Sequence, residues 1–220
     1  GASINGRKVG TFGDSAVLSF CQNKVITTGE GGAVVTESKE IAEKMKLIRS
    51  HGRLETSDYF SSTEDIDYVT LGYNFRMSNI TAALGLAQLN KVDKIIEMRR
   101  EKARLMSQSL APIGEVMTPN PPHGFYHVYQ MYIIRVQRGL RDRLLRYLAE
   151  RGIMTKVYFP PVHQTHFYRN ELKYDCELPV TEDLSQQVLT LPMYPSLTKQ
   201  EIDDVAGEIT TFWGKGQAEP

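Results

Sequence analysis

Apolar and polar positions change period several times along this chain, and each change marks an element. Residues 9–20 carry strand formers, with Gly13-Asp14 as a turn between two short runs, and residues 32–36 form a second β-branched run. Over residues 38–49 the spacing turns helical, with Ile41, Met45 and Ile48 on one face and Ser38 as N-cap. Residues 51–70 are polar and irregular, the pattern of a surface loop or of a substrate entrance. A helix is predicted from about Ser78, with Ile80, Leu84, Ala87 and Lys91 on one face. A longer one follows through Ile95, Met98, Lys102 and Leu105. The cluster Pro119-Asn120-Pro121-Pro122 breaks regular structure, because proline fixes φ and removes amide donors, and a boundary is placed there. Residues 128–136 then read as a strand covered on both faces. Helical spacing follows at Leu140, Leu144, Leu145 and Leu148, and residues 153–159 read as a further strand. Leu184, Val188 and Leu189 predict a helix ended by Pro192. Thr198 with Glu201 is a capping-box pair opening a last helix through Ile202, Val205, Ile209 and Phe212, and residues 215–220 read as a frayed tail.

Strand–helix–strand order with terminal helices makes this an α/β chain. Its 220 residues, 41% hydrophobic and 24% charged, suffice for one large or two small domains. The formal net charge of zero gives no reason to expect a nucleic-acid or membrane-surface partner. Two cysteines, Cys21 and Cys176, provide neither a disulfide framework nor zinc-ligand spacing, and no His/Asp/Glu spacing suggests a metal site. No apolar run approaches a membrane span and no signal peptide opens the chain, so cytoplasm is the expectation.

The chemistry concentrates in Ser19-Phe20-Cys21-Gln22-Asn23-Lys24-Val25-Ile26-Thr27-Thr28-Gly29-Glu30-Gly31-Gly32. A lysine between an apolar run and a hydroxyl- and glycine-rich turn suits an amine that must be neutral beside a bound anion, the condition for nucleophilic attack on a carbonyl. The lysine precedes the glycines, so this is no phosphate-binding P-loop. Spacing alone leaves a solvated surface charge as the commoner reading.

Further motifs accompany it: Gly72-Tyr73-Asn74-Phe75-Arg76-Met77, Ala82-Ala83-Leu84-Gly85, Tyr158-Phe159-Pro160-Pro161-Val162-His163 and Leu191-Pro192-Met193-Tyr194-Pro195. Taken in order over nearly the whole chain, they resemble the DegT–StrS family of pyridoxal-phosphate (PLP) nucleotide-sugar aminotransferases. The resemblance implies the C-terminal part of a fold-type-I PLP-dependent transferase: the end of a large mixed-sheet domain (residues 1–117, with connecting helices) plus a small α/β domain (118–220). It implies Lys24 as catalytic and cofactor-holding lysine, Ser19 as donor to the cofactor phosphate, and Asn74 as a donor reaching the phosphate in a neighbouring subunit, hence a homodimer with a shared site. For Arg76 it implies a role in positioning the Asn74 loop or, more weakly, a contact to the substrate's diphosphate, and for His163 a substrate contact, with packing at least as open. Substrate would be a nucleotide-linked keto-sugar, with glutamate as amino donor.

Departures qualify this. Val25 stands where the family often has Asn, and the chain opens at Gly1 without the family's preceding Asp-bearing strand, whose carboxylate pairs with the pyridine nitrogen. The chain is therefore expected to be a C-terminal portion with little turnover alone. A non-catalytic or regulatory homologue without PLP is the first alternative. A PLP-dependent sugar dehydratase is the second, disfavoured because that branch resembles this one with histidine in place of Lys24.

Overall fold

The computed structural model describes residues 1–54, 67–137 and 139–216. By residue contacts the chain falls into two compact units, the first of residues 1–94 with 124–126 and the second of 95–123 with 127–220. Most of the loop expected over 51–70 lies outside the described residues, as do residues 217–220 of the expected tail.

In the first unit, β1 (Ser3–Ile4) pairs antiparallel with β2 (Arg7–Lys8) on one side and β6 (Phe125–Tyr126) on the other. The hairpin of β3 (Ser15–Ser19) and β4 (Gly32–Thr36) runs in register from Ser15 opposite Thr36 to Ser19 opposite Gly32. Of the two runs expected over 9–20, only the second is a strand. The first strand lies earlier, where Asn5 and Gly6, both at positive φ, make the tight turn between β1 and β2. Helix α1 (Lys39–Arg49) begins as expected, Ser38 Oγ accepting the Ile41 amide, and α2 (Asn79–Leu89) is capped likewise by Ser78 and the Thr81 amide.

The second unit holds the core. Helix α3 (Val92–Leu110) buries Ile96, Arg99, Ala103, Met106 and Leu110, a stripe rotated from the expected Ile95–Met98–Lys102–Leu105 face. Burying that stripe draws most of α3 into the second unit. The units thus divide near residue 95, and the proline cluster at 119–122 lies inside the second unit. Its sheet is antiparallel in the order β5 (Val116–Met117), β7 (Tyr132–Val136), β8 (Val188–Leu191). Helices α4 (Arg141–Ala149), α5 (Pro179–Ser185) and α6 (Lys199–Gly216) complete it. Leu144, Leu148, Ile202 and Ile209 are fully buried. At the start of α6 the expected box forms: the Glu201 amide donates to Thr198 Oγ1 at 3.2 Å and the Thr198 amide to Glu201 Oε2 at 2.7 Å.

Two expectations fail here for tertiary reasons. Residues 188–191 are a strand rather than helix, because alternate burial of Leu189 and Leu191 fits the pleat beside β7, and the helix of that region ends at Ser185. Residues 153–159 form no strand. Pairing with β8 is confined to one bridge, Lys156 with Thr190, and Pro160 and Pro161 supply no amides to lengthen it.

Arg99 ties this unit together. Buried, it donates from Nη1 to the carbonyls of Tyr129, Gln130 and Met193 at 3.1–3.2 Å, and burial pushes its guanidinium below the usual arginine range. Arg99→Met should leave those carbonyls unsatisfied and lower stability by about 3 kcal/mol. A urea titration showing an unchanged midpoint would contradict that role.

Candidate active site

Every buried apolar residue among those described belongs to the second unit. The first unit instead leaves large apolar side chains exposed, Val17, Leu71 and Ile80 by 78–86%. Its shape comes from backbone bonds, and the Lys24 loop shows how. The Phe20 amide donates to the Gly31 carbonyl at 2.9 Å, and the Phe20 carbonyl accepts the Thr28 amide at 2.9 Å and the Thr27 hydroxyl at 3.1 Å. Thr28 Oγ1 donates to the Glu30 carbonyl at 2.8 Å, and the Lys24 amide to the Cys21 carbonyl at 3.0 Å. Residues 21–27 are thus a loop closed at its neck by the Phe20 peptide. Gly31 stands at φ +147°, and a Cβ there would come within 2.7 Å of Thr28 Oγ1 and 2.8 Å of Met77 Cε. Below the neck lies an apolar cavity of about 290 Å³ lined by Phe20, Ile26, Thr28, Met77 and Leu86 among others.

Lys24 is half-buried, and among the described residues no hydrogen bond or ion pair engages its amine. Ser19 is exposed at the end of β3. Its Oγ accepts the Cys21 amide at 3.4 Å, which leaves its own proton to donate. Glu30 Oε1 accepts from Cys21 Sγ at 3.6 Å.

The structure brings Asn74 and Arg76 together, Arg76 Nε donating to Asn74 Oδ1 at 3.3 Å. It adds a residue that pattern reading passed over: His51, whose Nε2 lies 3.4 Å from Arg76 Nη2. No spacing rule links positions 25 residues apart, and the signal lies only in the pairing of Ser50 with Asn74. Tyr73 and Phe75 flank Asn74 with stacked rings, 5.0 Å between centroids, and both are largely exposed.

His163 belongs to the second unit, on a single 3-10 turn, Val162–Gln164. It is buried, and its Nε2 lies 2.8 Å from Glu182 Oε1, which also accepts the Leu178 amide at 2.9 Å. These contacts pin the turn to the start of α5. Among the described residues no His/Cys/Asp/Glu group could hold a metal, no helix is long and apolar enough to cross a membrane, and Cys21 and Cys176 are free thiols.

Comparison with known proteins gives this geometry a context. The model of the DegT/DnrJ/EryC1/StrS aminotransferase family matches residues 1–210. The GDP-perosamine synthase of Caulobacter vibrioides is 36% identical over 93% of this chain and 54% of its own. A pleiotropic regulatory protein of Geobacillus stearothermophilus is 33% identical over 97% of the chain and 55% of its own. Among solved structures, Helicobacter pylori PseC, an aminotransferase involved in the biosynthesis of pseudoaminic acid, superposes with TM-score 0.87 at 31% identity, covering 96% of this chain and 56% of that one. The chain thus spans about half the length of the relatives it matches.

The Leu178 amide, and after it the His163 ring, hold the Glu182 carboxyl below the usual range. A depressed folded value stabilises above the ordinary carboxylate pKa of about 4.3 and is lost as pH falls through the folded one. Glu182→Gln should therefore blunt the acid loss of stability below about pH 4. Urea midpoints that fall equally with acid in both proteins would argue against the brace.

Proposed function

Because the chain belongs to the DegT/DnrJ/EryC1/StrS aminotransferase family, we propose that it is the C-terminal part of a pyridoxal-phosphate aminotransferase acting on a nucleotide-linked keto-sugar, with glutamate as amino donor. The observation that carries this reading is the half-buried amine of Lys24, unpaired among the described residues, in a loop closed at Phe20. An amine locked to a carboxylate would be committed to that partner, whereas this one is left available for attack on a carbonyl. The exposed apolar faces of the first unit support its being covered in a longer protein.

The residues present suit pyridoxal phosphate. Lys24 Nζ would hold it, and Ser19 Oγ and Asn74 Nδ2 would donate to its phosphate without adding charge. When bound, the cofactor supplies the electron sink that makes a carbon–hydrogen bond acidic. The work of Lys24 is to take up and return that proton at Nζ, which a lysine can do and a permanently charged arginine cannot. Arg76 is assigned to the anionic part of the substrate, and His163 to bracing its own segment. Asn74 is assigned to the site of a second copy. The exposed Tyr73–Phe75 stack beside it favours burial in a homodimer, and the cytoplasm is the expected compartment.

The relative named as a regulatory protein keeps a non-catalytic reading in view, and one experiment separates the two. Borohydride reduction of the full-length protein with pyridoxal phosphate should fix the cofactor's mass on the peptide containing Lys24. Lys24→Ala should lose the cofactor's absorbance and slow transamination by about 10³-fold or more. Cofactor mapped to another lysine, or to none, overturns the assignment. A dehydrated product in place of an amino sugar would instead point to the dehydratase.

A further inference from the structure

We propose that His51 is a positioning residue: through Arg76 it fixes the side-chain amide of Asn74 so that both Nδ2 hydrogens face the cofactor phosphate. This rests on the reading of Asn74 given above and adds to it a residue outside every motif.

The backbone sets the arrangement. The end of α1 and the residues after it run antiparallel to residues 73–75. The Tyr73 amide donates to the Ile48 carbonyl at 2.6 Å, the Phe75 amide to Arg49 at 2.9 Å, and the His51 amide to Tyr73 at 2.9 Å. His51 then turns left-handed at φ +65°, followed by Gly52 at +76°. The segments meet so closely that a Cβ on Gly72 would lie 2.0 Å from the Gly52 nitrogen. His51, Asn74 and Arg76 are thereby held on adjoining backbone rather than on separate mobile loops.

Hydrogen-bond chemistry then leaves one assignment. A guanidinium has donors only. The atom of Asn74 that meets Arg76 Nε must be the amide oxygen, and the His51 nitrogen that meets Nη2 must offer its lone pair. The relay runs from His51 through Arg76 to Asn74 Oδ1, and the Asn74 amide cannot flip without setting donor against donor. Among the described residues no carboxylate pairs with Arg76 to do the same work. With His51 gone, a long, exposed side chain would hold the amide by one 3.3 Å bond alone.

The competing explanation is that His51 is needed only for its left-handed backbone, which asparagine adopts readily and glutamine does not. Glutamine, in contrast, can place an acceptor near the position of Nε2, which asparagine is too short to reach. In the full-length protein, pyridoxal phosphate affinity should be measured by absorbance titration for Asn74→Ala and for His51→Ala, →Asn and →Gln. His51→Ala and His51→Asn should bind about fivefold more weakly, the worth of one hydrogen bond, and His51→Gln should recover most of that loss. Recovery by asparagine and not by glutamine overturns the relay in favour of the backbone explanation. Unchanged affinity in all His51 variants, with weakened binding in Asn74→Ala, overturns the relay alone. Unchanged affinity in Asn74→Ala overturns the underlying assignment of Asn74.

Discussion

The peptide of Phe20 is the point on which the site depends. It receives the Thr28 amide and Thr27 hydroxyl on its carbonyl and gives its own amide to Gly31, and so closes residues 21–27 into a loop without engaging the Lys24 amine. A loop closed by an ion pair would have consumed the lysine it carries. Closing it with backbone and hydroxyl groups leaves the one amine inside uncommitted, and an uncommitted amine is what carbonyl chemistry requires.

The same economy separates the two units. The second completes its own core and spends cations on it: Arg99 gathers three carbonyls, and Arg141, also buried, donates to those of Ser185 and Val188. Such arginines fasten loops and cannot serve a ligand as well. The first unit buries no apolar side chain among the described residues, and its Lys24 and Arg76 form no ion pair there. The first unit buries Arg53 as well, but leaves its two candidate site cations outside any ion pair among the described residues.

What could be read from the chain was what is local. Ser38, Ser78 and the Thr198–Glu201 pair announce helix starts because a cap bonds amides two or three residues away, and all three form as expected. The order of motifs carried the family for a similar reason, each motif being a short contiguous run. Reading failed where a distant partner decides. The Val188–Leu191 run suits helix or strand until β7 lies beside it, and α3 turns Ile96 rather than Ile95 inward because the core lies on that side. His51 was invisible for the strongest version of this reason: its meaning exists only once residues 48–53 lie against 68–75.

The segments that carry Lys24 and Asn74 also meet, in a way a motif list hides. Met77 follows Arg76 by one residue, and its Cε occupies the space that a side chain at Gly31 would need. The segment presenting Asn74 therefore rests against the floor of the loop presenting Lys24 within one unit of one chain. If Asn74 serves the site of a second copy, that contact gives each subunit's lysine loop and its outgoing asparagine segment a common footing. A side chain added at Gly31 would press on Met77 Cε and Thr28 Oγ1, the ends of two side chains from these segments.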